Sequence, residues 1–393
     1  MFAVLKFAHK PFVRLVILLN ILWLAACEPI SLSTDGNGGK VKAGEPVAVA
    51  LLLPRGSAIS GDDLISTALE NAARLAAADL QGVKVDLRVY ATAGDAARAQ
   101  SAARQAVADG AQIILGPLRA ESANAVAVAV APEGINVLAF SNNTTIAGGN
   151  LFLLGSTFQN TANRLTAYAN RNGKGRILVV HNDQIGGQLG KTAILQAISA
   201  TGATLAGTVS YEHSQQGVTS AIPRIKAAAT AGAANAVFLT ATSDGALPFF
   251  AQLLPEGGVS SATTQFIGLS RWDIPAQTLA LPGLQGGWFA LPDPAKSAQF
   301  SNRYASTYGN SPHPLAALAY DGVAAVGALA KSGKRNALSS ASLTQGAGFQ
   351  GANGIFRLRP DGTNQRGLAI AQIKNNSVSI IDAAPSAFGG AGF

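Results

Sequence analysis

Two short polar stretches in this chain carry side chains suited to holding a small molecule: Leu118-Arg119-Ala120 and Ser141-Asn142-Asn143-Thr144. Each directly follows an apolar run, 113–115 and 137–140, and Gly116-Pro117 separates the first run from its loop. In an open parallel sheet, ligands sit beyond the carboxyl ends of the strands, where helix N-termini present unpaired N–H groups. The two stretches are therefore expected to face one cleft and to offer it a guanidinium, two hydroxyls and two amides. A third strand-end loop, His181-Asn182-Asp183-Gln184-Ile185-Gly186, follows the run 176–180. The competing reading is structural: Asn and Ser favour turns for local backbone reasons, and an Arg after a strand is often simply solvated.

These residues point to recognition and not to catalysis. Only His181, His213 and His313 lie beyond the amino-terminal 26 residues, and neither a Gly-x-Ser-x-Gly elbow nor a His-Glu-x-x-His pair is present. Gly190-Lys191-Thr192 ends like a phosphate loop, but Ile185 occupies the place of its first glycine. Gly346-x-Gly348-x-x-Gly351 has dinucleotide spacing yet precedes a strand, so it is read as a loop. His181 and Asp183 share one loop and are read as turn groups instead of a metal pair. No enzyme activity, cofactor or metal is expected.

The elements needed to position the loops follow from hydropathy patterning. Strands are expected at 47–53, 83–90, 113–115 and 137–140, with helices at 63–79, 95–109 (capped by Asp95, ended by Gly110) and 120–130 between them. A second strand series, 176–180, 208–211, 236–240 and 266–269, alternates with helices near 189–201, 219–229 and 244–254. A return segment then reads as strand 288–291, helices 295–308 and 314–331, and a strand-rich tail from 355. Alternation of this kind calls for parallel sheets with right-handed crossovers.

The chain has 393 residues, 48% of them hydrophobic and 13% charged, enough for two lobes with separate cores. Its formal charge of +8 is spread along the sequence, and aromatic residues make up only 6%. Without a basic cluster or aromatic interleaving, no nucleic-acid partner is expected. Residues 1–26 have the basic start, apolar stretch and small-residue end of a signal peptide. Leu24-Ala25-Ala26-Cys27 resembles the lipobox of bacterial lipoproteins, implying that Cys27, the single cysteine, is acylated and holds the protein on a membrane. Glu28 after it favours the outer membrane in such proteins. Residues 27–45, polar and glycine-rich, read as a flexible tether.

Ala319-Tyr320-Asp321-Gly322-Val323, Phe349-x-Gly351-x-x-Gly354-x-Phe356 and Asp361-Gly362, with the apolar run at 47–53, resemble in order and spacing the leucine-type periplasmic binding proteins over about residues 46–380. The resemblance implies an α/β fold of two Rossmann-like lobes, the type 1 periplasmic binding protein fold, joined by three crossovers around a ligand cleft. Lobe 1 is expected at 46–155 plus 288–345 and lobe 2 at 156–287 plus 346–385. It also implies ligand contacts from Leu118, Arg119, Ala120, Ser141, Asn142 and Asn143 in lobe 1 and from Gln184, Ile185, Thr240, Thr242, Ser270 and Arg271 in lobe 2. Where amino-acid-binding members have a tyrosine and a carboxylate, this chain has Ile185 and Ser270, so a ligand ammonium loses its charged partner. Asp273 could replace that carboxylate only with a shift of register. Arg119 and Arg271 are expected to make the cleft cationic, favouring a small polar or anionic ligand. Gly116-Pro117-Leu118, the lipobox and these departures also resemble penicillin-binding protein activators, lipoproteins that stimulate peptidoglycan synthases. That role is the first expectation, and the solute-binding protein of an ABC importer for amino acids or another small polar ligand, partnered by a permease, is the second.

Overall fold

The apolar runs become strands because packing covers both faces of each. In the computed structural model, which describes residues 39–42 and 44–389, β1 (Val47–Leu53) is buried almost throughout and has a strand on either side in the first lobe. With β2 (Val85–Ala91), β3 (Ile113–Leu115), β4 (Val137–Ala139) and β5 (Leu151–Leu153) it forms a parallel sheet in the order β2-β1-β3-β4-β5. The connecting helices are α1 (Asp62–Asp79), α2 (Ala96–Ala108) and α3 (Ala120–Val130). Asp95 caps α2 as its sequence predicts, Oδ1 accepting from the Arg98 N–H at 2.8 Å.

The second lobe contains α4 (Phe158–Arg171), β6 (Arg176–Asn182), α5 (Ile185–Thr201), β7 (Thr204–Tyr211), α6 (Gln215–Ala231), β8 (Ala236–Leu239), α7 (Leu247–Glu256), β9 (Gln265–Gly268) and β10 (Trp288–Pro292). The chain then returns to lobe 1 as α8 (Pro294–Tyr308), α9 (Ala316–Ala330), the single turn α10 (Ser340–Leu343), β11 (Phe349–Gly351), β12 (Gly354–Leu358) and β13 (Asn364–Arg366). It ends in lobe 2 with β14 (Leu368–Lys374) and β15 (Ser377–Asp382). The second sheet runs β15-β14-β10-β9-β8-β6-β7, its last five strands parallel and β14 and β15 antiparallel. The chain thus passes between the lobes after β5, after β10 and between β13 and β14.

Three expected boundaries are corrected by these contacts. Residues 288–292 belong to lobe 2, because Trp288 and Phe289 pair in parallel with Ile267 and Gly268 while the strand's other edge takes β14. Residues 349–358 belong to lobe 1, where Phe349, Phe356 and Leu358 join the core built on β1, β3 and α9. The tether ends earlier than residue 45: Val41 is buried in that same core, and its N–H donates to the Arg335 carbonyl at 2.9 Å. The proposed signal peptide, Cys27 and most of the tether lie outside the described residues.

Candidate functional site

On the lobe 1 side, Gly116 adopts φ +89°, and a Cβ there would stand 2.4 Å from the Leu52 carbonyl oxygen. Only glycine allows the chain to leave β3 so close to β1 and present Leu118 to the cleft. Arg119 turns away from it. Its Nη2 donates to Asp62 Oδ1 at 3.0 Å, at the first turn of α1, where Asp62 is buried. After β4, the Ser141 Oγ accepts from the Asn143 N–H at 3.1 Å, and Asn143 Oδ1 accepts from the Thr145 N–H and hydroxyl. This part of the loop largely satisfies its own hydrogen bonds, as a turn does. The Asn142 side chain has no such bond among the described residues and projects from the loop.

On the lobe 2 side, Trp272 decides the geometry of the loop after β9. Its ring is wholly buried, and a Cβ at Gly268 would lie 2.3 Å from it, so the glycine is what lets the indole plug in beneath the strand end. With Trp272 fixed inward, Arg271 and Ile274 face the cleft. The Ser243 hydroxyl donates to the Ile274 carbonyl and ties the loops after β8 and β9 together. Arg271 forms a two-point pair with Asp273. Asp273 is therefore spent on the arginine and does not stand in for the missing carboxylate.

A cavity of about 410 Å³ opens between the lobes at the crossings. Four of the expected residues line it: Leu118, Ser141, Asn142 and Arg271. The remaining expected positions do not. Arg119 is held by Asp62. Ala120 begins α3, and Asn143 faces a neighbouring cavity. Gln184 and Ile185 sit at the start of α5, with Ile185 80% exposed. Thr240 is buried at the end of β8, Thr242 is exposed, and Ser270 donates to the Ala241 carbonyl at 3.3 Å. The expected cationic cleft is also corrected, since both arginines are paired with carboxylates.

Most of the lining was not legible in the sequence. Phe140, Ile274, Pro292, Leu315 and Leu318 make the walls apolar, and Arg366 forms part of the lining. Arg366 is buried beside Asp321, Nη1 donating to Oδ2 at 2.8 Å, and its Nη2 reaches the Leu154 carbonyl at the first crossing. Asp321 also accepts from the Ala352 N–H at 2.7 Å, and a Cβ at Gly351 would come within 2.2 Å of its Oδ1. Burial pushes the Asp321 carboxyl up, opposed by the Arg366 guanidinium. The signal available was Asp321 itself, a lone charge in the apolar helix 316–330 that requires a partner. Among the described residues no group of three or more His, Cys, Asp and Glu side chains is placed to hold a metal. His181 Nδ1 lies 2.9 Å from the Asn182 carbonyl, and Asp183 Oδ1 accepts from the His213 N–H, so both act as turn groups.

Two lobes of parallel sheet, three crossings and a cavity at the hinge define a clamshell, and the family model for periplasmic binding proteins matches residues 46–377. The chain belongs to the periplasmic binding protein family. Among solved structures, this periplasmic binding protein is similar to a putative branched-chain amino acid ABC transporter protein from Rhodospirillum rubrum, with 20% identity, TM-score 0.70, and 86% and 100% of the two chains covered. It is similar to an ABC transporter substrate-binding protein from Desulfitobacterium hafniense in complex with Leu, at 20% identity, TM-score 0.60, and coverage of 86% and 100%. A third neighbour is the solute binding protein of an ABC transporter from Rhodopseudomonas palustris BisB5 in complex with 3,4-dihydroxy benzoic acid, at 16% identity, TM-score 0.58, and coverage of 87% and 98%. No curated protein matches it. Membership makes the chain a periplasmic, non-enzymatic binding protein and accounts for the catalytic motifs that its sequence lacks.

Proposed function

We propose that this periplasmic binding protein is the solute-binding component of an ABC importer. Its solute is a compact, largely apolar molecule without a cationic amine, held at its polar end by Ser141, Asn142 and Arg271. The observation that carries this reading is the cavity lining: apolar walls, two hydroxyls (Ser141, Ser156), two amides (Asn142, Asn353) and the guanidinium groups of Arg271 and Arg366, with no carboxylate. A free amino acid would bury its ammonium there unpaired, which is costly. A carboxylate meets the Arg271 Nη1, the one guanidinium nitrogen not engaged by Asp273. The complex of the R. palustris neighbour with an aromatic acid fits this chemistry better than the leucine complex of the D. hafniense neighbour.

Thermal unfolding with benzoate, 3,4-dihydroxybenzoate and leucine tests the proposal. At a hundred times its dissociation constant a ligand stabilises by about 2.7 kcal/mol, a shift of several degrees. An aromatic carboxylate is expected to give that shift, and Arg271→Met to weaken its binding at least tenfold. Tight binding of leucine alone would overturn the assignment. Activation of a penicillin-binding protein is the alternative function. The lipobox-like Leu24-Ala25-Ala26-Cys27 and the missing acid support it, and the importer has the further support of its structural neighbours. Stimulation of glycan polymerisation by the protein, with no solute response, would favour the alternative. Acylation of Cys27 would tether the clamshell to the membrane in either role, and mass spectrometry of the exported protein reads that out directly.

A further inference from the structure

A second and larger cavity, about 480 Å³, lies on the flank of the hinge, against the first crossing and the β12–β13 turn. Its walls come from both lobes: the loop after β4, the start of α4, the outer face of α5 and residues 359–365. The composition is unlike that of the interlobe cleft. Amide side chains dominate, with Asn142, Asn143, Gln159, Asn163, Gln196 and Gln365 around the wall. Beneath them the buried Asn160 donates to Asn364 Oδ1 at 2.6 Å, and Asn364 donates to the Leu153 and Gly155 carbonyls. The floor is therefore rigid and anchored to the crossing. Charge is balanced: Arg359 and Asp361 are the only ionisable groups in the lining, one of each sign. The Gln196 and Asn142 side chains hold no hydrogen bond among the described residues, and the Asn163 amide uses only its oxygen, which accepts from Gln159 at 2.7 Å. Two apolar groups stand at the rim, the Phe158 ring at 40% exposure and Leu189 at 46%.

An amide presents a donor pair and an acceptor on one rigid plane, which matches hydroxyl groups that both donate and accept. A site without net charge gains nothing from an ion, and an exposed ring at its edge suits the C–H face of a pyranose. Volume in this range holds a small ligand with a few placed polar groups. We propose that the flank cavity is a binding site for a neutral polyhydroxylated ligand, a mono- or disaccharide, distinct from the solute cleft, with Asn142 standing on the boundary between the two.

Calorimetric titration of the full chain with glucose, maltose and N-acetylglucosamine tests this, with benzoate titrated in parallel. At least one sugar is expected to bind saturably. Gln196→Leu and Asn163→Leu, single changes on exposed or half-exposed faces of two helices, should each weaken it at least tenfold and leave the benzoate response unchanged. Leu118→Trp, which fills the cleft, should abolish benzoate binding and leave the sugar response in place. The proposal is overturned if no sugar binds, if sugar binding survives both flank substitutions, or if Leu118→Trp removes it. Loss of the benzoate response alone bears on the importer reading and not on this site.

Discussion

Asp321 and Arg366 show how much a single pair of side chains contributes at the hinge. The two are contributed by different elements of the returning chain, and Arg366 reaches on to the Leu154 carbonyl at the first crossing. Removing one partner strands the other as an uncompensated buried charge. Asp321→Ala is therefore expected to cost about 3–5 kcal/mol, read as a lowered urea midpoint. The double change Asp321→Leu with Arg366→Met should cost clearly less than the sum of the single changes, because it leaves no charge behind. His181 gives a pH dependence of defined sign. Burial pushes its imidazole pKa down, the nearby Lys191 does the same, and the Asn182 carbonyl and Asp183 oppose them. Below about pH 6.5 the unfolded chain takes up a proton that folded His181 refuses, so stability is lost as the pH falls from there towards the depressed folded value. Thermal unfolding between about pH 5 and 7 should show that loss, and His181→Gln should reduce it, burial of His313 supplying a further part with the same sign.

At the level of elements, the crossings fix where the cleft lies. Gly155 follows β5, and a Cβ there would sit 2.5 Å from the Ser141 carbonyl oxygen, so this crossing packs directly on the loop after β4. Gly155→Ala is expected to displace that loop, costing about 1–3 kcal/mol and weakening cleft binding, both measurable on one purified variant. The strand-helix alternation of each lobe was legible because β1, β3 and β4 are continuous apolar runs bounded by Gly, Pro or Asn. The lobe membership of β10 was not. Its sequence, Trp288-Phe289-Ala290-Leu291, reads as a buried strand in either sheet, and only its pairing with β9 and β14 settles which. The hairpin of β11 and β12 was misplaced for the same reason: its glycines were visible, but that Gly351 makes room for Asp321 was not.

At the scale of the whole molecule, a clamshell that closes on its solute becomes more compact. Small-angle scattering should show a smaller radius of gyration when an aromatic carboxylate saturates the cleft, and no change with a ligand that fails to stabilise the protein. The sequence by itself determined that the chain alternates strands with helices in two series and that polar loops follow β3 and β4. These are local properties, written in periodicity, caps and breakers over a few residues. It also gave a cleft without an acid for an ammonium, since that is a matter of which residue types are absent. Tertiary structure alone decided that Arg119 is paired with the buried Asp62, that the cleft walls are apolar, and that an amide-lined cavity stands beside the hinge. Each of those depends on side chains far apart in sequence meeting in the fold, and no local pattern encodes which distant partner a charge or an amide will find.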